Sequence, residues 1–77
     1  MLQRFWFRTV GSLGYGVSAY SREDAESLLS ELGYPRPGET VLEVAENINV
    51  QDLDQSHVVP NMGPVSFRGV WFPRHNI

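Results

Sequence analysis

Five residues of this chain carry side chains that could bind a ligand or a partner. Two are arginines, whose planar guanidinium groups can donate two parallel hydrogen bonds to a carboxylate or phosphate. Two are tryptophans, which supply broad apolar walls, and one is a histidine, which titrates near neutral pH. The sequence therefore holds the side chains needed for anion or partner recognition. The candidate interface or ligand-binding residues are Trp6, Arg8, His57, Arg68 and Trp71.

Patterns for catalysis and metal binding are weaker. Ser56 and His57 stand near Asp52 and Asp54, which are the residue types of a nucleophilic triad, but no nucleophile-elbow glycines surround Ser56. The same histidine and acids, with His75, could supply metal ligands, yet no two histidines stand four apart on a helix. The chain has no cysteine, which excludes disulfides and thiolate chemistry. We therefore expect a non-enzymatic protein with no catalytic residue, metal or other cofactor.

His57 also has a structural interpretation. It precedes the turn-rich residues 60–63, where proline, asparagine and glycine favour tight turns. We expect its imidazole to form a hydrogen bond with the loop backbone and so to hold these turns in place.

Arg68 likewise has two interpretations. It stands before Gly69, and a glycine on a strand lets a ligand or another backbone approach closely. Alternatively it forms a cross-strand ion pair with Glu43 or Glu46, if the last two strands are neighbours. Arg68→Lys distinguishes the two interpretations. A bidentate site should lose its ligand, whereas the loss of an exposed ion pair should change stability very little.

Alternation of apolar and polar side chains predicts four strands. In the first, Phe5 and Phe7 face the core while Trp6 and Arg8 face the other side, because strand side chains alternate with period two. Residues 11–16 are rich in glycine but precede a strand rather than a helix, which indicates a hairpin turn and not a phosphate-binding loop. The predicted strands cover residues 2–10, 17–20, 40–50 and 65–72, with a short helical turn at 51–55 that tucks Leu53 inward.

The helix is predicted from its ends and its apolar stripe. Ser21 is a good N-cap and Asp24, three residues later, resembles the acid of a capping box. Gly33 stands where a left-handed C-cap is expected, and two prolines follow it. The stripe has the spacing i, i+3, i+4, i+7 of one helix face, and its members are Ala25, Leu28, Leu29 and Leu32.

These elements predict a β-β-α-β-β order and one α+β domain over residues 1–77. A β-α-β connection makes the second and third strands parallel, so the first strand fits antiparallel between them. The expected fold is a four-stranded, mainly antiparallel sheet with a strand order such as 2-1-3-4. One helix of about twelve residues is ~18 Å long, so it covers one face of this sheet and not both.

Charge is distributed in three blocks. Residues 1–22 carry +3, residues 23–54 carry −8 and residues 55–77 carry +2. Few arginines and no lysine are available to neutralise a phosphate backbone, so we do not expect nucleic-acid binding. Basic end strands that flank an acidic strand would instead form cross-strand ion pairs. The chain also lacks an apolar run of the ~20 residues that span a bilayer and shows no signal peptide, which predicts a cytoplasmic protein without membrane contact.

Several segments resemble a set of small bacterial hypothetical proteins with no assigned activity. The similarity lies in residues 46–50 and 53–54, in HVVPNMG at 57–63 and in RGVWFP at 68–73, with a fainter match at 16–21, 24–25 and 28–29. It covers most of the chain. The resemblance implies a family relationship and transfers no catalytic residue.

The uncovered sheet face supplies the leading functional hypothesis. If the helix covers Phe5 and Phe7, then Trp6 and either Trp71 or Phe72 stay exposed, and large exposed apolar patches mark interfaces. We therefore expect a protein-interaction module that self-associates, by default as a two-fold dimer. One alternative is a pocket for an anionic or nucleotide-like ligand, formed by the tryptophans with Arg8, Arg68 and His57. Another is an inhibitor or immunity-type protein whose acidic residues 43–54 dock on a basic protein partner.

Overall fold

The computed structural model describes residues 1–74 and shows one antiparallel sheet with one helix against one of its faces. β1 (Gln3–Val10) pairs antiparallel with β2 (Tyr15–Ala19) and with β3 (Thr40–Glu46). After the helix α1 (Arg22–Glu31), the chain forms β3 and ends in β4 (Gly69–Phe72), which pairs antiparallel with β2. The α+β class and the β-β-α-β-β order predicted from the sequence are confirmed.

The strand order is β3-β1-β2-β4, so the suggested order 2-1-3-4 is wrong in the position of the last strand. β1 does lie between β2 and β3, as the β-α-β argument requires. β4 lies beside β2 because Gly16 has no side chain there, and the Trp71 ring fills the space. A Cβ atom at position 16 would overlap that ring.

Strand boundaries differ from the sequence pattern where the backbone leaves extended geometry. β3 ends at Glu46 rather than at residue 50, because Asn47 adopts a left-handed conformation with φ of 56°. β4 begins only at Gly69, whose φ of 149° is accessible to glycine, and bends occupy residues 65–68. Pairing in β2 starts at Tyr15, two residues earlier than expected. The apolar alternation therefore located each strand but overestimated the length of the last two.

The helix begins and ends as its sequence predicts. The Ser21 hydroxyl accepts a hydrogen bond from the Asp24 backbone N–H at 3.1 Å, which caps the first turn. At the other end Gly33 has φ of 77°, and its N–H and that of Tyr34 donate to carbonyls of the last turn, both at 3.0 Å. This pair of bonds is a Schellman motif, which satisfies helix carbonyls that would otherwise lack partners.

The helix face of the sheet carries the first apolar cluster. Phe5 and Phe7 are 1% and 2% exposed, so their prediction as core residues is confirmed. Leu29 packs on them from the helix, whereas Leu32 is 44% exposed because it follows the last helical residue and leaves the stripe. The buried members of this cluster are Phe5, Phe7, Tyr15, Val17, Ala19, Ala25, Leu29 and Tyr34.

The opposite face of the sheet is covered as well, by residues 47–65, which we call the covering segment. Two short 3-10 turns, Val50–Asp52 and Val59–Asn61, occur within it, and its Leu53 and Val58 are buried against the sheet. The expectation of an uncovered aromatic face is therefore wrong. A single helix covers only one face of the sheet. An irregular segment with enough apolar side chains can bury the other face. The inward position of Leu53 is confirmed.

Hydrogen bonds to the sheet hold the covering segment at both of its ends and along β4. The Arg4 guanidinium donates to the Ile48 carbonyl at 2.6 Å, and the buried Ser18 hydroxyl donates to the Val65 carbonyl at 2.7 Å. The Gly63 N–H donates to the Trp71 carbonyl at 2.7 Å. The first two bonds fix the ends of the segment and the third fixes its path along β4.

Candidate functional site

The five candidate residues do not come together in one site. Trp6 stacks on Trp71 with ring centroids 6.0 Å apart and contacts Phe72 at 5.7 Å. Trp71 is 2% exposed, and the covering segment packs over it. The two tryptophans therefore form the centre of a second apolar cluster and leave no pocket between them. An aromatic pocket of Trp6, Trp71 and Arg8 is not what the structure shows.

An irregularity in the β2–β4 pairing explains how Trp71 and Phe72 share a face. Strict alternation predicts that neighbours point to opposite sides, but the register shifts between Gly16 and Val17. Gly16 pairs with Phe72 and Val17 with Val70, which leaves Trp71 as the extra residue of a β-bulge. Both rings consequently reach Trp6. The period-two rule gave the wrong face for one of them.

Arg8 forms a cross-strand ion pair. Its Nε lies 2.8 Å from Oε1 of Glu43, which is its direct partner on β3. Both side chains are more than half exposed, so the pair contributes only about 0–1 kcal/mol to the free energy of unfolding. The distribution of charge along the sequence predicted cross-strand pairs of this kind. The Arg8 guanidinium is therefore already paired with a carboxylate of the neighbouring strand.

His57 lies in a tight local network around Asp54 on the covering segment. The Asp54 carboxylate accepts the backbone N–H groups of Ser56 at 2.8 Å and His57 at 2.9 Å. The imidazole Nδ1 lies 3.2 Å from the other carboxylate oxygen. The backbone N–H of His57, then that of Ser56 and the imidazole, lower the pKa of Asp54.

The imidazole therefore bonds to a carboxylate three residues earlier, and the prediction that it bonds to the loop backbone is wrong. The turn that follows is held instead by the Asn61 side-chain amide, which donates to the His57 carbonyl at 2.9 Å. The Asp54 carboxylate accepts hydrogen bonds from two backbone amides that follow it in the chain. These residues therefore form a turn and not a nucleophilic triad. No group of three or more acids and histidines among residues 1–74 could hold a metal ion, and His75 lies outside the described residues.

Arg68 forms a bidentate ion pair with Asp24 at the beginning of the helix. Its Nε and Nη2 donate to the two carboxylate oxygens at 2.9 and 2.5 Å. The Arg68 bond, followed by the N–H of Tyr20, lowers the pKa of Asp24 to about 2. The expected partners Glu43 and Glu46 are wrong, because they lie on β3 at the opposite edge of the sheet. One arginine thus joins the start of β4 to the start of the helix.

Beside this ion pair lies a cleft of about 390 Å³, which we call the Arg68 cleft. Its walls come from the end of the helix, from the bends before β4 and from β4 itself. Phe67 is 71% exposed, the largest fraction of any aromatic residue described, and Arg74 has no ionic partner among residues 1–74. The lining includes Leu32, Phe67, Arg68, Gly69, Trp71 and Arg74.

The Arg68 cleft combines exposed apolar surface with positive charge. Asp24 neutralises Arg68, so Arg74 supplies the free guanidinium of the described part of the cleft. The ring of Phe67 and the side chain of Leu32 supply apolar contacts nearby. Such a surface can bind a carboxylate that has an apolar group next to it.

Sequence reasoning identified Arg68 and Trp71 of this cleft and missed Leu32, Phe67 and Arg74. The sequence pattern places Leu32 in the helix stripe and Phe67 inside a strand that begins at residue 65. In the structure that strand begins at Gly69, so Phe67 precedes it. The signal for Phe67 is its place between Pro64 and Gly69, two residues that interrupt regular pairing.

Comparison of this chain with protein-family models, curated proteins and solved structures finds no match. The resemblance to small bacterial hypothetical proteins therefore stays a prediction, and the function has to be argued from the geometry alone. None of the helices among residues 1–74 has the length and apolar character needed to cross a membrane.

Proposed function

We propose that this protein is a non-enzymatic protein-interaction module that binds its partner through the Arg68 cleft. The observation that carries the proposal is Phe67, an aromatic side chain that is 71% exposed and lines the same cleft as Arg74. Aromatic residues and arginine are enriched at the centres of protein interfaces. A cytoplasmic location, argued from composition, belongs to the same proposal.

The partner that fits is a protein segment with a carboxylate next to an apolar side chain. Arg74 would pair with the carboxylate, and Phe67 and Leu32 would contact the apolar group. The cavity volume of about 390 Å³ lies near the lower end of the ~300–1,000 Å³ usual for ligand sites. The cleft therefore suits one or two anchoring side chains rather than a whole folded surface.

Self-association is less favoured than binding of a different protein. The aromatic face that motivated a two-fold dimer is covered by the protein's own residues 47–65, which bury Trp71 and leave Trp6 only partly exposed. A second copy could still use its acidic residues 43–54 as the occupant of the Arg68 cleft. Sedimentation of the protein over a range of concentrations measures this directly, and a monomer at every concentration excludes the second copy.

A small anionic molecule is the second candidate occupant. Arg74 lines the cleft together with the exposed ring of Phe67, and its guanidinium could pair with a carboxylate or phosphate of such a molecule. A panel of carboxylate and phosphate metabolites tested by thermal shift measures this possibility. Binding to the folded state raises Tm with ligand concentration, and an unchanged Tm across the panel favours the protein partner.

The test of the proposed function uses two labelled synthetic peptides, one of alternating leucine and aspartate and one in which lysine replaces aspartate. We expect fluorescence anisotropy to show binding of the acidic peptide only. Phe67→Ser and Arg74→Ala should each weaken it about tenfold, which corresponds to about 1.4 kcal/mol.

Two surface variants outside the cleft serve as controls. Leu13→Ser removes an apolar side chain that is 52% exposed in the β1–β2 hairpin, and Arg22→Ala removes an exposed arginine of the helix. Both should bind the acidic peptide like the parent protein. Equal binding of the two peptides, or equal losses in the control variants, would refute the assignment of the Arg68 cleft.

A further inference from the structure

The two edges of the sheet differ in how much of their backbone is available. β4 is four residues long, and the carbonyl of its Trp71 already accepts the Gly63 N–H from the covering segment. β3 is seven residues long and pairs only with β1 among the described strands. The outer edge of a strand presents N–H and C=O groups that can pair with an added strand. β3 is thus the edge of this sheet that is open to a further strand.

An apolar groove lies next to this open edge. The helix packs mainly against β2 and β4, so the helix side of β3 is less covered. A cleft of about 350 Å³ lies there, lined by apolar side chains that include Phe7, Leu29 and Val41, and also by the Arg22–Glu26 ion pair of the helix. Val44, the partner of Phe7, packs against the same cluster from β3. A strand added to β3 would place every second side chain over this groove.

A bulge in β3 increases its apolar contribution to the groove. The register with β1 shifts between Arg8 and Thr9, so Thr9 pairs with Val41 and Leu42 becomes the extra residue. Val41 and Val44 therefore face the helix side together, although they are three residues apart. Leu42 stays 49% exposed at the edge.

The acidic side chains of β3 determine which kind of strand can pair with its open edge. Glu43, the central residue of the strand, pairs with Arg8 on the face away from the helix, whereas Glu46, at the end of the strand, lies on the helix side and has no ionic partner among residues 1–74. A two-fold pairing of whole β3 strands from two copies would place the two Glu43 side chains opposite each other, which is unfavourable. A strand with lysine or arginine would instead complement these acids.

We propose that β3 binds an extended segment of another protein by strand addition, and that this segment alternates apolar and basic residues. Backbone hydrogen bonds to the β3 edge would supply affinity. The groove would take the apolar side chains of the segment, and Glu43, on the opposite face of β3, would take its basic side chains. This surface is separate from the Arg68 cleft, because β3 and β4 are the opposite edges of the sheet. The inference does not depend on the proposed function.

The experiment uses the whole protein and a synthetic peptide of alternating valine and lysine. Amide hydrogen exchange, followed by NMR, should show new protection within Thr40–Glu46 when the peptide is added. The same peptide with alternate backbone nitrogens methylated cannot complete the ladder and should bind at least about tenfold more weakly. Glu43→Lys should weaken binding of the unmodified peptide by several fold, because Glu43 lies on the face of β3 that the lysines of the peptide would share.

Glu31→Lys is the matched control, because it reverses an exposed acid on the helix near Arg68 and away from β3. It should leave peptide binding unchanged, as should Arg74→Ala. Equal binding of the methylated peptide, or protection outside β3, would overturn strand addition. Protection of β3 that appears without peptide as the protein concentration rises would show that the occupant is a second copy and overturn the basic segment.

Discussion

The two faces of the sheet bury aromatic side chains equally well by different means. On one face Phe5 is 1% exposed under a regular helix, and on the other Trp71 is 2% exposed under the irregular covering segment. The helix has caps at both ends and satisfies its own backbone. The covering segment has only two short 3-10 turns and relies on bonds to the sheet.

This difference indicates which half of the structure depends on the other. The helix is stabilised partly by its own backbone hydrogen bonds and caps. The covering segment, by contrast, is ordered mainly by its contacts with the sheet. We therefore expect the covering segment to open at lower free energy than the helix in native-state hydrogen exchange.

Removal of the Trp71 side chain should have the largest effect. Trp71→Ala should lower the free energy of unfolding by about 3–5 kcal/mol, because it leaves a cavity among Trp6, Gly16 and the covering segment. Urea unfolding measures the loss, and Trp71→Phe provides a smaller truncation if the alanine variant does not fold. Phe67→Ala, at an exposed aromatic, should change stability little. A similar small effect for Trp71→Ala would contradict burial by the covering segment.

Leu29→Ala probes the helix face and should cost about 2–4 kcal/mol, because a buried stripe leucine loses its transfer free energy and leaves a cavity. Its exposed neighbour in sequence, Leu32, is the control, and Leu32→Ala should cost much less. Urea unfolding of both variants checks the prediction. Equal losses at the two positions would mean that the helix does not pack through Leu29 as described.

Loss of the helix cap should be milder. Ser21→Ala removes the hydroxyl that accepts the Asp24 N–H and should cost about 1 kcal/mol. Thermal unfolding compared with Ser27→Ala, an exposed serine in the same helix, isolates the capping contribution. If Ser21→Ala costs as much as Leu29→Ala, the helix would depend on its cap more than on its packing, which the burial pattern contradicts.

The smallest effect concerns acid pH. The pKa of Asp24 is lowered from 3.8 to about 2, chiefly by its bond to Arg68. A lowered folded-state pKa stabilises the folded protein above pH 3.8, and this contribution disappears as the pH falls through about 2. Asp24→Asn should therefore show a shallower loss of stability over this pH range. Asp52→Asn, in the covering segment, is the control and should follow the parent protein.

Arg68→Lys tests whether the bidentate geometry of the ion pair lowers the Asp24 pKa, because it keeps the positive charge and removes the planar guanidinium. NMR titration should show the Asp24 pKa rising toward its ordinary value, with the fold retained. An unchanged Asp24 pKa would mean that charge alone, and not the bidentate geometry, holds the ion pair.

Features that depend on neighbours in the chain follow from the amino-acid sequence alone. Ser21 and Gly33 set the ends of the helix, and the glycine-rich run set the β1–β2 hairpin. Alternation assigned Phe5 and Phe7 to the core. Each of these follows from local hydrogen bonding or from the period of one element, so no knowledge of the remaining chain was required.

Features that join distant segments depend on how the whole chain packs. β4 lies beside β2 because Gly16 makes space for Trp71, and a bulge places Trp71 and Phe72 on one face against the rule of alternation. Arg68 meets Asp24 as a consequence of that strand order. Shape complementarity between residues far apart in the chain has no period and no local signal, so the cover of the second face and the Arg68 cleft became visible only in three dimensions.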